Sequence, residues 1–233
     1  MDFDLLKSLG LNLDDKTKSE FETYIKLFKK YNSHTNLISK NDEELLFEKH
    51  IFDSLAFNLF SQKYGCPKIL MDIGTGGGFP ALPMAMIYPE TNIFAVDSTT
   101  KKINFINEIK EELKLKNVEP LALRIEELPQ NLKESFDVVT TRALGNLRLV
   151  LEYAIPYLKV GGYFVAYKSS DSENELNQAK NAMKILKTGL VDKIEYKLPL
   201  SENFDRKLLV FKKEAKTPPL YPRQYNSMKK SPL

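Results

Sequence analysis

The 233 residues contain only one cysteine and two histidines. Cys66 therefore has no partner for an internal disulfide, and no Cys/His cluster with zinc spacing can be drawn, which excludes a disulfide scaffold and a structural metal. A large net charge is also missing. The 34 Lys and Arg stand against 31 Asp and Glu, +3 overall, too weak a balance to indicate a nucleic-acid or membrane partner by itself. No apolar run approaches the length of a membrane span, and the opening Met1-Asp2-Phe3-Asp4-Leu5-Leu6-Lys7 lacks the basic and apolar regions of a secretion signal. These absences point to a cytoplasmic protein in a reducing compartment, with no membrane partner and no metal.

What is present is ordinary for a globular chain: 42% hydrophobic and 28% charged residues, enough for one large or two small cores. The charge is unevenly spread. Arg206 to Leu233 carries eight basic residues against Glu214, or +7, which leaves −4 for the remainder. Phe21, Tyr24, Ile25 and Phe28 fall at i, i+3, i+4 and i+7 and predict an amphipathic helix over residues 16–32, with a second helical stretch from about Glu43 to Gln62. After Gly65-Cys66-Pro67, short apolar runs alternate with helical ones: 68–73, 80–87, 92–96, 101–115, 118–123, 136–140, 147–158, 163–167 and 172–187. Such alternation predicts a mostly parallel α/β sheet covered by helices on both faces. The last runs, 191–198 and 207–211, have no helix between them and suit an antiparallel edge, with Pro199–Asp205 as their loop. The expected organisation is a helical N-terminal extension over 1–65, an α/β domain over 66–213 and a basic, Pro-rich tail over 214–233. That tail lacks periodicity and is expected to be flexible or ordered by a partner.

The most informative stretch is Leu70-Met71-Asp72-Ile73-Gly74-Thr75-Gly76-Gly77-Gly78-Phe79-Pro80, a buried strand running through glycines into a helix opened by Pro80. Glycines there let a ligand approach the backbone. The next strand, Ile93-Phe94-Ala95-Val96-Asp97, ends in a carboxylate able to accept both hydroxyls of a ribose. Together they describe an adenosine-type pocket, for a dinucleotide or for S-adenosylmethionine. Phe79 stands where the dinucleotide fingerprint requires glycine, which disfavours an oxidoreductase. Arg142, at the end of Phe136-Asp137-Val138-Val139-Thr140-Thr141-Arg142, occupies a strand tip where α/β enzymes place functional groups; the plainer alternative is a cation paired with an acid such as Asp72.

With these residues in view, the chain resembles the glucose-inhibited division protein B family, bacterial enzymes that methylate N7 of one guanine in small-subunit (16S) ribosomal RNA. The resemblance is nearly full length: Tyr31-Asn32 to Asn36-Leu37, His50-Ile51-Phe52-Asp53-Ser54, the glycine loop, Asp97-Ser98, Arg142-Ala143, and the ending Tyr221-Pro222-Arg223 with Lys229-Lys230-Ser231-Pro232-Leu233. It departs at Ala81, where members often carry Gly, and at Lys168-Ser169, where they carry Lys-Gly. The resemblance implies a class I methyltransferase fold with S-adenosylmethionine as cofactor. It places Gly74, Gly76, Phe79, Ile125, Glu126 and Arg142 at that cofactor and Asp97 at its ribose, and it raises His50 and Asp53 as shapers of the substrate side, with Lys168 kept beside them.

The chemistry agrees. Guanine N7 has an in-plane lone pair and no proton, so in-line attack on a sulfonium methyl requires positioning and no general base. Cys66 precedes the first strand and is ill placed as a nucleophile for carbon methylation; Thr140-Thr141-Arg142-Ala143 replaces the Asn-Pro-Pro-Tyr signature of amine methylation. The candidate catalytic residues are accordingly Arg142, Asp53 and Lys168, with Asp53 or Glu126 available to stabilise a cationic product. Neither His34 nor His50 has a triad partner in sequence. Lys213, Lys216, Arg223, Lys229 and Lys230, interleaved with Tyr221 and Tyr225, are the candidate RNA contacts, to ribosomal RNA or a ribosomal particle. An RNA-binding assembly factor that keeps the pocket without turnover is the competing reading.

Overall fold

The structure, a computed structural model, describes residues 1–169, 172–199 and 205–233; most of the expected 199–205 loop lies outside the described residues. After an N-terminal 3-10 turn the elements run α1 (Asp15–Thr35), α2 (Lys40–Glu44), α3 (Phe52–Leu55), α4 (Phe57–Tyr64), β1 (Ile69–Ile73), α5 (Ala81–Ile87), β2 (Asn92–Asp97), α6 (Thr100–Glu112), β3 (Val118–Ala122), β4 (Phe136–Arg142), α7 (Leu147–Ala154), β5 (Leu158–Ser169), α8 (Glu173–Gln178), α9 (Lys180–Leu186), β6 (Thr188–Lys197), β7 (Asp205–Lys213) and α10 (Tyr225–Lys230). The seven strands lie in the order β3-β2-β1-β4-β5-β7-β6. The first five pair in parallel, and β7 pairs antiparallel with both β5 and β6. The order reverses between β1 and β4, and open α/β sheets bind ligands at the strand ends beside such a reversal.

Side-chain alternation sends each strand into two layers. Leu70, Ile93, Val138, Val165 and Val210 join the core formed by α1, α3–α6 and the N-terminal turn. Met71, Val96, Val139, Phe164 and Phe211 join the core under α7–α9. The N-terminal helices thus share the sheet's own core. Phe28 of α1 sets its ring 5.3 Å from Phe79 and 5.4 Å from Phe105 of α6. Asp14 caps α1 by accepting from Thr17 N at 2.7 Å, and Asn36 ends it in a left-handed conformation.

Two segments differ from the sequence expectation. The single helix anticipated over 43–62 is broken: between α2 and α3 the backbone makes a π-helical turn over Leu46–Ile51. Residues 50–58 are all buried, so no polar face fixes a 3.6-residue period there. The basic end is also not loose. Tyr221 and Met228 are buried in the core of α7–α9, and α10 forms on that support. A segment too polar to build a core of its own is ordered on one already built.

The anchor of that segment is ionic. Arg223 donates from Nε and Nη2 to the Glu152 carboxylate, both at 2.7 Å, and Glu152 Oε1 also accepts the Arg223 backbone N–H at 3.0 Å. The Glu152 side chain is 1% exposed. Replacing Arg223 by Ala leaves this carboxylate buried and uncompensated, and we expect a loss of about 3 kcal/mol of stability. Urea unfolding of Arg223→Ala checks this; an unchanged midpoint would show that water compensates Glu152.

Candidate active site

Two cavities open along the C-terminal edge of the sheet, on either side of the β1 tip. The smaller, of about 240 Å³, lies over β1, β2 and β3 and is lined by Gly74, Asp97, Ile125, Glu126 and Tyr153 among others. The β1–α5 turn delivers its glycines in a conformation closed to other residues: Gly74 has φ +69° and Gly78 has φ +84°. A Cβ at Gly74 would run into Leu144, and one at Gly78 into Leu82. Asp97 closes the turn from the next strand. Its Oδ2 accepts Gly76 N at 3.0 Å and its Oδ1 accepts Thr99 N at 2.9 Å. Each carboxylate oxygen offers about two lone-pair directions; Oδ2 also meets Lys102 Nζ at 3.5 Å, so Oδ1 keeps capacity for a ribose hydroxyl. Val96, Leu123 and Ile125 supply an apolar wall suited to a purine. An adenosine with a short chain running over Gly74 fits these residues.

The larger cavity, of about 430 Å³, lies beyond β1 over β4 and β5 and is lined by Lys49, His50, Asp53, Arg142, Lys168, Glu175 and Arg206 among others. Arg142 is fixed from several sides. Its Nε pairs with Asp53 Oδ2 at 2.7 Å, and its Nη2 donates to His50 Nδ1 at 2.8 Å and to the Lys49 carbonyl at 3.3 Å. Phe79 places its ring face 5.7 Å from the guanidinium carbon. The π-helical turn brings Lys49 and His50 to this point, a common use of that geometry. Asp53 is itself held by the Tyr196 hydroxyl at 2.6 Å, with Arg206 Nε at 3.9 Å.

Burial sets the protonation of two groups. A guanidinium can only donate, so His50 Nδ1 accepts and the proton sits on Nε2, which is buried with no partner among the described residues. Desolvation, reinforced by Arg142, pushes the His50 pKa down to about 3. Asp72, under the glycine turn, is fully buried and accepts from Thr140 Oγ1 at 2.9 Å; desolvation pushes its carboxyl up to about 7.

Of the residues expected at the cofactor, the structure brings Gly74, Asp97, Ile125 and Glu126 to the smaller cavity, and Gly76 supports it through Asp97. Arg142 lines the larger cavity, and its ion-pair partner is Asp53, not Asp72. Phe79 lines neither cavity: its ring is 6% exposed and packs against Tyr24, Phe28 and His50. Its ring backs the Arg142 cluster. Lys168 faces the larger cavity but is engaged with Glu175 at 2.7 Å and the Gly145 carbonyl at 2.9 Å. Two of the candidate RNA contacts have partners within the chain. Lys213 has no exposed side-chain surface and donates to Glu134 and the Leu158 carbonyl, and Arg223 is taken up by Glu152. Lys216, Lys229 and Lys230 are exposed.

Sequence reasoning missed Tyr196, Arg206, Leu144, Tyr153 and Glu175. Tyr196 lies 143 positions from Asp53, a separation that leaves no local signal. Leu144 was within reach, two residues beyond the singled-out Arg142.

The family profile described as GidB, rRNA small subunit methyltransferase G, matches residues 17–199. The chain belongs to that family. The GidB relatives include the ribosomal RNA small subunit methyltransferase G of Streptococcus agalactiae serotype Ia, 37% identical over 233 residues, covering 99% of this chain and 98% of the relative. The protein of the same name from Lachnoclostridium phytofermentans is 37% identical over 230 residues, with 98% and 94% covered. Among solved structures, a 16S rRNA (adenine(1408)-N(1))-methyltransferase from Catenulisporales acidiphilia gives a TM-score of 0.52 at 16% identity, over 65% of this chain and 87% of that one. The YcgJ protein of Bacillus subtilis gives 0.53 at 14%, over 68% and 98%. At such identities the structures attest the α/β fold alone; membership in GidB rests on the profile and on the curated relatives.

Within this site the His50 ring is expected to stay neutral. Its pKa in the fold lies below its ordinary 6.5, so the stability it confers is complete above that pH and is lost as pH falls toward 3. Its imidazole resonances should not shift between pH 5 and 8 in an NMR titration. A midpoint near 6.5 would mean that the ring is solvated.

Proposed function

We propose that the protein transfers the methyl group of S-adenosylmethionine to N7 of a guanine in small-subunit ribosomal RNA. The observation that carries this reading is the pair of adjoining cavities, one built for an adenosine and the other walled by Arg142, in a chain of the GidB family. S-adenosylmethionine, when bound, supplies an electrophilic sulfonium methyl. Asp97 would hold its ribose, Ile125 and its neighbours the adenine, and the Gly74 turn would let its chain pass close to the backbone. The nucleophile brings its own lone pair and no proton, so the remaining task of the protein is to hold the base in line. Arg142 is suited to that task because Asp53, His50 and the Lys49 carbonyl leave it a single orientation. Asp53 has both oxygens committed, to Arg142 and to Tyr196, and therefore acts as a positioning residue and not as a free carboxylate beside the product. Lys216, Lys229 and Lys230 supply a basic rim for phosphates.

The test is transfer of labelled methyl from S-adenosylmethionine to small-subunit ribosomal RNA from cells lacking the modification, with the product mapped by cleavage at N7-methylguanine. Label at one guanine is expected. Cofactor binding with no label on RNA or on intact subunits would favour the assembly-factor reading.

Asp53→Asn keeps the size of the side chain but removes the charge opposing Arg142. It should lower turnover about 10- to 100-fold while leaving affinity for S-adenosylmethionine within about threefold, because Asp53 is remote from the adenosine cavity. Unchanged turnover would remove Asp53 from the site's function.

A further inference from the structure

The two cavities have a single lining residue in common, Leu144. Its side chain covers Gly74, so closely that a Cβ there would strike Leu144 Cδ1. Leu144 is half-buried and packs against the core of α7–α9. The backbone around it is built to aim it there. Ala143 has φ +56° and Gly145 has φ +129°, so the chain leaving β4 turns back across the tip of β1 before α7 begins. The turn is braced from outside: Lys168 Nζ donates to the Gly145 carbonyl at 2.9 Å and to Glu175 Oε2 at 2.7 Å. The same Glu175 oxygen accepts the backbone N–H of Leu147, the first residue of α7, at 2.8 Å. One carboxylate and one ammonium thus fix the segment that follows Leu144, at Gly145 and at Leu147, where it enters α7.

We propose that Leu144 is the partition between the methyl-donor cavity and the target-base cavity, and that it sets the line along which the donor methyl meets its acceptor. The proposal rests on the methyl-transfer reading above. If the adenosine end of the cofactor occupies the smaller cavity and its chain runs over Gly74, the methyl must cross to the larger cavity beside Leu144. In the displacement, the bond from the acceptor nitrogen to the methyl carbon forms as the carbon–sulfur bond breaks, and the sulfur keeps the bonding pair. The two partners must lie nearly collinear, and a misplacement of about 1 Å costs about 100-fold in rate. A branched apolar side chain at that crossing gives the sulfonium a wall that admits no hydrogen-bonded water and gives the base a surface to rest on. Lys168 acquires a role in the same arrangement: it holds the turn that carries Leu144.

The experiment compares wild type, Leu144→Ala, Leu144→Met and the pair Gly74→Ala and Gly74→Ala/Leu144→Ala. Dissociation constants for S-adenosylmethionine and S-adenosylhomocysteine are measured by calorimetry, and methyl transfer to small-subunit RNA by single-turnover kinetics at saturating cofactor. For Leu144→Ala the expected result is affinity for both cofactors within about threefold of wild type with a transfer rate about 30- to 100-fold slower. Leu144→Met, which restores the bulk, should recover to within about fivefold. Gly74→Ala should weaken cofactor binding more than tenfold, and removing the Leu144 side chain should return part of that loss. A wild-type rate in Leu144→Ala overturns the partition. So does a variant whose cofactor affinity falls while its saturated rate stays at wild type, since Leu144 would then be a binding contact. Wild type that binds S-adenosylmethionine but transfers nothing to RNA defeats the functional reading first and the partition with it, an outcome distinct from both of these.

Discussion

The ion pair between Arg142 and Asp53 joins two distant parts of the chain. Arg142 ends β4, at the centre of the sheet, whereas Asp53 belongs to the short helix α3 of the N-terminal region. Both side chains are largely withdrawn from solvent, with 15% and 4% of their surfaces exposed. A pair so placed adds little net stability when complete and costs several kcal/mol when broken, so its effect is to fix geometry. Through His50 and the Lys49 carbonyl it locks the π-helical turn against the sheet, and through Tyr196 it reaches the antiparallel edge. The wall of the larger cavity is therefore assembled from the N-terminal helices, the central strand and the last hairpin. The N-terminal helices belong to the site as much as to the core.

The opposite layer shows a similar economy. Glu152 and Tyr153 are consecutive in α7: the first anchors Arg223 and the C-terminal segment, and the second lines the smaller cavity. The burial of Tyr221 and Met228 seats α10 over the same layer. A segment that carries exposed lysines is thus held rigidly to the helix that walls the cofactor side. Its charges are therefore presented from a fixed position.

What was legible in the sequence was whatever a short segment determines. The glycine turn, the carboxylate ending β2 and Arg142 at the tip of β4 are each the last residues of an apolar run, and the parallel order of strands puts those tips side by side. Strand alternation was legible too, and it was under-used. Lys213 follows Leu209 and Phe211 at a period of two, and the same face that buries them buries Lys213. Other features were beyond reach because they are made by distant partners. Tyr196 with Asp53, and Arg223 with Glu152, are separated by 143 and 71 positions, and an exposed-looking charge in a polar segment gives no sign of which carboxylate awaits it. The π-helical turn falls in a stretch buried on all sides, where hydrophobic periodicity carries no information.

The charges around the larger cavity follow a consistent pattern. Lys49 is paired with Asp42, Arg142 with Asp53, and Lys168 with Glu175. Methylation at N7 turns a neutral base into a cation, and an uncompensated guanidinium about 4 Å away would oppose that change by about 4 kcal/mol at an effective dielectric near 20. Carboxylates beside these three cations reduce the opposition. A site for an anionic acceptor has no use for this compensation, since bare cations would serve it better. Paired cations of this kind suit an acceptor that gains positive charge.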